Sequence, residues 1–185
     1  KLISTNTKNV MIKTFHSFAA YFLRNEIEVL NFPRSFTILD EEDQLKIIKD
    51  AASELGYKKS DEIVKKSIKY IANKKLKEQF PDEITLKFES FPGEKDCLEI
   101  YSKYEIQKQK SYCLDFDDLL LYTNIILERF PKIREKYQDR FSTILIDEFQ
   151  DTNDVEYRMI KFLMNSRTNL YVVGDPDQTI YTFRG

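Results

Sequence analysis

Histidine occurs once in these 185 residues, cysteine twice and tryptophan not at all. Cys97 and Cys113 stand apart with no CxxC pair, so neither a familiar zinc site nor a disulfide framework can be assembled. A reduced, cytoplasmic setting is the expectation from that usage. No apolar run approaches the length that crosses a bilayer. Lys1-Leu-Ile-Ser-Thr-Asn lacks the charged start and long apolar core of a secretory signal. Internal repeats and low-complexity linkers are also missing. With no initiator Met and an abrupt Phe183-Arg184-Gly185 end, the chain reads as cut at both termini.

What is present suits a globular domain, or one domain with part of another: 42% of residues are hydrophobic and 14% aromatic. A formal net charge of −2 argues against holding nucleic acid by bulk charge. That average hides a patch. Lys58, Lys59, Lys65, Lys66, Lys69, Lys74, Lys75 and Lys77 face only Asp61 and Glu62 in their stretch. It reads either as a solvated helix face or as a surface that touches phosphate.

Val10-Met11-Ile12 can form a short strand leading into Thr14-Phe15-His16-Ser17. Phe18, Phe22 and Leu23 then recur at helical spacing. Asp40 followed by Glu41, Glu42 and Asp43 loads acid at a helix start, and Leu45, Ile48, Ala52 and Leu55 make its stripe before Gly56 stops it. Ser60 caps a further helix with Val64, Ile68, Ile71 and Leu76 inward, and Pro81 and Phe91-Pro92-Gly93 are breaks. A helix from near Glu94 turns Leu98, Tyr101 and Tyr104 inward. Asp115 caps another, with Asp118 at its third position and Leu119, Tyr122 and Ile126 following. Residues 15–135 are therefore helix after helix, a small and mostly α domain.

After Arg140 the pattern changes. Thr143-Ile144-Leu145-Ile146 is a short apolar strand ending on Asp147 and Glu148. Asp151-Thr152-Asn153 caps a helix carrying Val155, Met159, Phe162 and Leu163. Asn169-Leu170-Tyr171-Val172-Val173 is a second strand, stopped by Gly174-Asp175-Pro176. Strand–helix–strand implies a parallel pair with a right-handed crossover, and uninterrupted apolar strands suit a sheet buried on both faces. The fold class is thus mainly α, a helical region joined to a truncated parallel α/β portion.

Parallel strands open their carboxyl ends on one edge, where open α/β sheets bind ligands. Asp147 and Glu148 reach that edge from one strand, and Asp175 to Gln178 from the other. The first carboxylate can hold Mg²⁺ and the second can take a proton from an attacking water. An amide such as Gln178 can report a terminal phosphate. The bland alternative is a strand that ends on two acids and caps a loop.

Ile144 to Asn153 resembles the Walker B segment of the UvrD/PcrA/Rep type of superfamily-one DNA helicase, and Val173 to Gly185 resembles that family's next motif. Thr14-Phe15-His16-Ser17 and Leu114-Asp115-Phe116-Asp117-Asp118-Leu119-Leu120 resemble two earlier family stretches, so the likeness touches nearly the whole chain. It implies RecA-like domain 1A at 1–14 and 136–185, with helical domain 1B at 15–135. It also implies Asp147 as the Mg²⁺ carboxylate, Glu148 as general base, Gln178 as the γ-phosphate sensor and Gln150 as a coupler of the ATP and DNA sites. Thr14 and His16 would touch the DNA backbone, although His16 alone also reads as a buried loop contact. Tyr181 and Phe183 would stack on bases of single-stranded DNA; the family often has Trp where Phe183 stands. Arg184 either binds phosphate or pairs with an acid.

ATP binding in that family uses a glycine-rich loop ending in Gly-Lys-Thr or Gly-Lys-Ser. The four glycines here, at 56, 93, 174 and 185, are never followed by lysine. The expectation is a 3′→5′ helicase whose complete form uses Mg²⁺, ATP, single-stranded and duplex DNA, while this piece alone binds no cofactor and hydrolyses nothing. An unpaired sheet edge also invites self-association. The competing reading is a non-catalytic module binding nucleic acid or protein through its helical region. A nuclease is the weaker rival, because it leaves Gln178-Thr179-Ile180-Tyr181 unexplained.

Overall fold

The computed structural model describes residues 10–58, 62–83 and 93–175. Within them the chain is mainly helical. Thr14 caps α1 (Phe15–Glu26), whose Phe18, Ala19, Phe22 and Leu23 are buried. Asp40 caps α2 (Glu41–Glu54) through the amide of Asp43. Just beyond the end of α2, Gly56 takes a left-handed φ of +90°, a conformation glycine adopts without steric cost. Then follow α3 (Glu62–Leu76), α4 (Glu94–Lys110), α5 (Phe116–Arg129) and α6 (Pro131–Arg140). Asp115 and Asp118 form a reciprocal capping box on α5, as their spacing predicts. After strand β3 (Thr143–Ile146) comes α7 (Asp154–Leu163), capped the same way by Asn153 and Glu156, and then β4 (Asn169–Val172).

Burial divides into two cores. One gathers Phe18, Phe22 and Leu23 of α1, Leu119, Ile126 and Leu127 of α5, Tyr137 of α6, and Val155, Met159 and Leu163 of α7. The other holds Ile48, Ala51 and Ala52 of α2, Val64, Tyr70 and Ile71 of α3, and Ile100, Tyr101 and Tyr104 of α4. Ile144 packs onto the first core, so α7 and its neighbours cover one side of the β3–β4 sheet.

β3 and β4 are parallel, as expected, with Thr143 opposite Asn169 and Ile146 opposite Val172. The sheet is not buried on both faces. Leu145, Tyr171 and Val173 share one face and are exposed, because no element among the described residues covers that side; Val172, on the opposite face, is half exposed as well. A second parallel pair, β1 (Thr37–Ile38) with β2 (Cys113–Leu114), was not expected; two-residue strands carry no periodicity to read.

Three further expectations change. Val10-Met11-Ile12 is not a strand; Val10 and Ile12 are exposed, and no described residue pairs with them in a ladder. Ile68 and Leu76 of α3 are exposed rather than inward, since the buried side of that helix runs through Val64, Ser67, Tyr70, Ile71 and Lys75. The lysine-rich stretch is not one solvated face either: Lys75 is buried, Lys66 pairs with Glu62 at 3.2 Å and Lys74 with Glu94 at 3.8 Å. Ser60 and the Phe91-Pro92 break lie outside the described residues.

Candidate functional site

The β3–β4 ladder continues past the strands. Val173 N donates to Ile146 O at 2.8 Å and Phe149 N to Val173 O at 2.9 Å. Asp147 and Glu148 therefore leave β3 at the same edge at which Gly174 and Asp175 leave β4. The convergence expected from strand polarity is present among the described residues.

Gln150 ties the two strand ends together. Its Nε2 donates to Glu148 Oε2 at 2.5 Å, and its Oε1 accepts from Asp175 N at 3.0 Å. One amide thus fixes the Glu148 carboxylate with respect to the start of the second loop. Asp147 Oδ1 accepts from Glu148 N at 3.0 Å. Glu148 itself has φ of 52°, a left-handed conformation that costs of order 1–3 kcal/mol in a residue with a side chain. Such strain persists where surrounding contacts over-determine it, here the backbone hydrogen bonds of the turn Phe149–Asp151 and the Gln150 bridge.

Gly174 makes that closeness possible. A Cβ there would lie 2.5 Å from Gln150 Oε1, 3.2 Å from Phe149 N and 3.3 Å from Gln150 N. A side chain there would displace the Gln150 amide and press on the backbone of Phe149 and Gln150, so glycine lets the second strand end pass the first at this distance. Asp147 and Glu148 are both exposed. Two exposed carboxylates at one strand end are hard oxygen donors, the kind of set that Mg²⁺ takes, so the residues present fit that ion.

Thr14 and His16 sit at the N-terminus of α1. Thr14 Oγ1 accepts from Ser17 N at 3.2 Å, and the His16 ring lies 5.5 Å from Phe116. Burial lowers the His16 pKa below its ordinary value, so the imidazole is neutral at pH near 7. His16 lines a cavity of about 280 Å³ together with Asp117, Leu120, Asn153, Val155 and Glu156. The start of α1 and the first turn of α7, which directly follows the Asp147–Asn153 segment, thereby share a wall. Gln178, Tyr181, Phe183 and Arg184 lie outside the described residues.

The whole chain, residues 1–185, matches the family model for the UvrD/REP helicase N-terminal domain. It belongs to the UvrD/Rep helicase family. Among curated relatives, "ATP-dependent DNA helicase Rep" of Buchnera aphidicola subsp. Baizongia pistaciae is 36% identical over all 185 residues of this chain, which cover 27% of the relative. A second Buchnera Rep, from subsp. Schizaphis graminum, is 36% identical over 178 residues, 96% of this chain and 27% of that protein. "ATP-dependent DNA helicase PcrA" of Staphylococcus aureus strain Mu50 is 34% identical over 185 residues, all of this chain and 25% of that protein. The chain thus spans about a quarter of the length of the curated relatives it matches.

Three features of this UvrD/Rep-type site escape sequence reasoning. Gly174 reads as a strand stop, whereas its role is close approach. Phe116 reads only as a residue after a cap, yet it is exposed and faces His16. Lys75 reads as one of a run of surface lysines, yet it is buried against Asp115 and Asp118, 40 and 43 positions away, where Lys108 also meets them; no local spacing reveals that cluster.

Proposed function

We propose that this chain supplies the metal- and water-handling part of the ATP site of a DNA helicase that moves 3′→5′ on single-stranded DNA and unwinds duplex. The observation that carries the reading is the Gln150 bridge, which holds Glu148 and Asp175 at one sheet edge. Family membership and the helicase names of the relatives support it.

In this reading Asp147 would hold Mg²⁺, which would supply charge neutralisation for the nucleotide phosphates. Glu148 accepts the proton of the attacking water, and its carboxylate is aimed by the amide of Gln150. Gln150 couples the ATP and DNA sites because it touches the strand end from which Gln178, the proposed γ-phosphate sensor, follows. Thr14 and His16 bind the DNA backbone, Tyr181 and Phe183 stack on bases, and Arg184 contacts phosphate in the same proposal. The shared wall of His16 with Asn153 and Glu156 gives these two sites a physical junction.

The domain reading is proposed too: RecA-like 1A at 1–14 and 136–185, helical 1B at 15–135. Within the latter, the α2–α4 core stands apart from the core that α1 and α5 share with α7. The isolated chain, with no Gly-Lys-Thr or Gly-Lys-Ser, is proposed to hydrolyse no ATP, to work in the cytoplasm as part of the complete motor, and to self-associate through its open strand edge. No helix among the described residues is long and apolar enough to cross a membrane.

The test compares the 185-residue chain with the full-length protein that carries it. DNA-stimulated ATP hydrolysis and unwinding of a 3′-tailed duplex are expected of the full-length protein alone. Unwinding only of a 5′-tailed duplex contradicts the proposed direction, and metal-dependent hydrolysis by the isolated chain contradicts its proposed inactivity.

A further inference from the structure

Three helix ends meet in the interior around five charged side chains. Lys75 comes from the last turn of α3 and Lys108 from the last turn of α4; Asp115 and Asp118 form the first turn of α5, and Glu105 joins from α4. Lys75 Nζ contacts Asp115, lies 2.6 Å from Asp118 Oδ1 and 3.2 Å from Glu105 Oε1. Lys108 Nζ lies 2.5 Å from Asp118 Oδ2, 3.0 Å from Asp115 Oδ2 and 2.9 Å from Glu105 Oε1. Tyr104 Oη donates to Asp115 Oδ2 at 2.6 Å. All five charged groups are buried.

The placement is electrostatically consistent. Both cations stand at helix C-termini, and Asp115 and Asp118 at a helix N-terminus, each matched to the local dipole; Glu105, toward the C-terminal end of α4, is the exception. Stability alone does not account for it, because a buried ion cluster costs much of its attraction in lost hydration and apolar residues can replace it. What the cluster fixes is geometry. Asp115 and Asp118 bracket Phe116 and Asp117 in one helical turn. Phe116 stands against the His16 ring, and Asp117 lines the cavity that His16, Asn153 and Glu156 also line.

We infer that Lys75 and Lys108 are positioning residues: by gripping Asp115 and Asp118 they set the first turn of α5, and so the wall that Phe116 and Asp117 present to the DNA-contacting His16. The inference rests on the proposed role of His16. Lys75 and Lys108 act through Asp115 and Asp118, since both ammonium groups are buried within the ion cluster. They carry the placement of the α3–α4 pair into the DNA site, which a helix held by apolar contacts alone would pass on less sharply.

The experiment measures ATP hydrolysis by the full-length protein without DNA and over a titration with single-stranded oligothymidylate, well below each variant's unfolding midpoint. Lys108→Gln is expected to raise the half-saturating DNA concentration about tenfold while the DNA-free rate stays within about twofold. Glu105→Gln is the control. Glu105 pairs with both ammonium groups but makes no hydrogen bond or ion pair to the α5 turn, so its variant is expected to keep the wild-type half-saturation. If Lys108→Gln does not fold, Asp115→Asn, which retains a capping side chain, serves in its place with the same expected rise. A folded Lys108→Gln or Asp115→Asn with unmoved half-saturation overturns the inference, as does an equal shift in Glu105→Gln. Wild-type hydrolysis that DNA does not stimulate removes the DNA site, and the inference with it; a stimulated wild type with unmoved variants overturns the inference alone.

Discussion

Replacing Lys75 by Met would leave three buried carboxylates facing one ammonium instead of two. Lys75 is wholly buried, and although burial disfavours its charge, Asp118, Asp115 and Glu105 outweigh that and hold its pKa well above the ordinary value. A group so raised is lost as a charge only as pH climbs through its folded pKa, so the Lys75 ammonium stays charged near and below neutral and the pH dependence of its contribution comes from its carboxylate partners. Removing one partner of a buried ion pair costs about 3–5 kcal/mol, a substantial part of the roughly 5–15 kcal/mol by which native proteins are stable. The carboxylates give the loss a pH signature. Asp118 is pushed up to about 6 by burial and by the charge of Asp115. Burial would raise Asp115 too, but Lys108 and Lys75 hold it well below the usual carboxylate range. An acid whose folded pKa is raised costs the fold stability above that pKa, and the cost is relieved as pH falls toward its unfolded value. Without Lys75 the carboxylates bind protons more tightly, so the deficit should shrink on acidification. Urea unfolding followed by far-ultraviolet circular dichroism is expected to show a deficit of about 3–5 kcal/mol near pH 8, and a clearly smaller one near pH 5. A Lys75→Met variant within about 1 kcal/mol of wild type near pH 8, or an equal deficit at both pH values, refutes the reasoning.

Gly174→Ala places a methyl group against Gln150 and the backbone of Phe149. It is expected to cost about 1–3 kcal/mol in thermal or urea unfolding and to slow hydrolysis in the full-length protein; a neutral variant would show that the strand ends part freely. Gln150→Leu removes the bridge from Glu148 to Asp175 while filling similar space. Steady-state turnover in the full-length protein should fall about tenfold or more with ATP affinity nearly retained, and unchanged turnover would take the aiming of Glu148 away from Gln150.

Much of this fold and part of the site can be read before any coordinates. Thr143 to Ile146 and Asn169 to Val172 are legible because short apolar runs flanked by cap residues have few other uses, and strand–helix–strand connectivity dictates the parallel pairing. Asp40, Asp115 and Asn153 are legible as caps because an N-cap needs only local chemistry. Lys75 is misread for the complementary reason. Its partners are 40 and 43 positions away, and a lysine among lysines looks solvated until the helices that bury it are placed. Exposure of Leu145 and Tyr171 is equally illegible, since an apolar strand carries no mark of which layers cover it. Gly174 belongs between these cases: the residue type signals a break, but the close approach that requires it appears only once Gln150 is in position.

The most direct measurement is hydrolysis by Glu148→Gln in the full-length protein, with nucleotide binding followed in parallel. Gln keeps the size and hydrogen-bonding reach of the side chain and removes its ability to take a proton. The account predicts ATP binding close to wild type and turnover reduced a hundredfold or more, on the order of what a general base supplies. Turnover equal to wild type would contradict it, and would leave Asp147 and Glu148 as the acidic end of a strand.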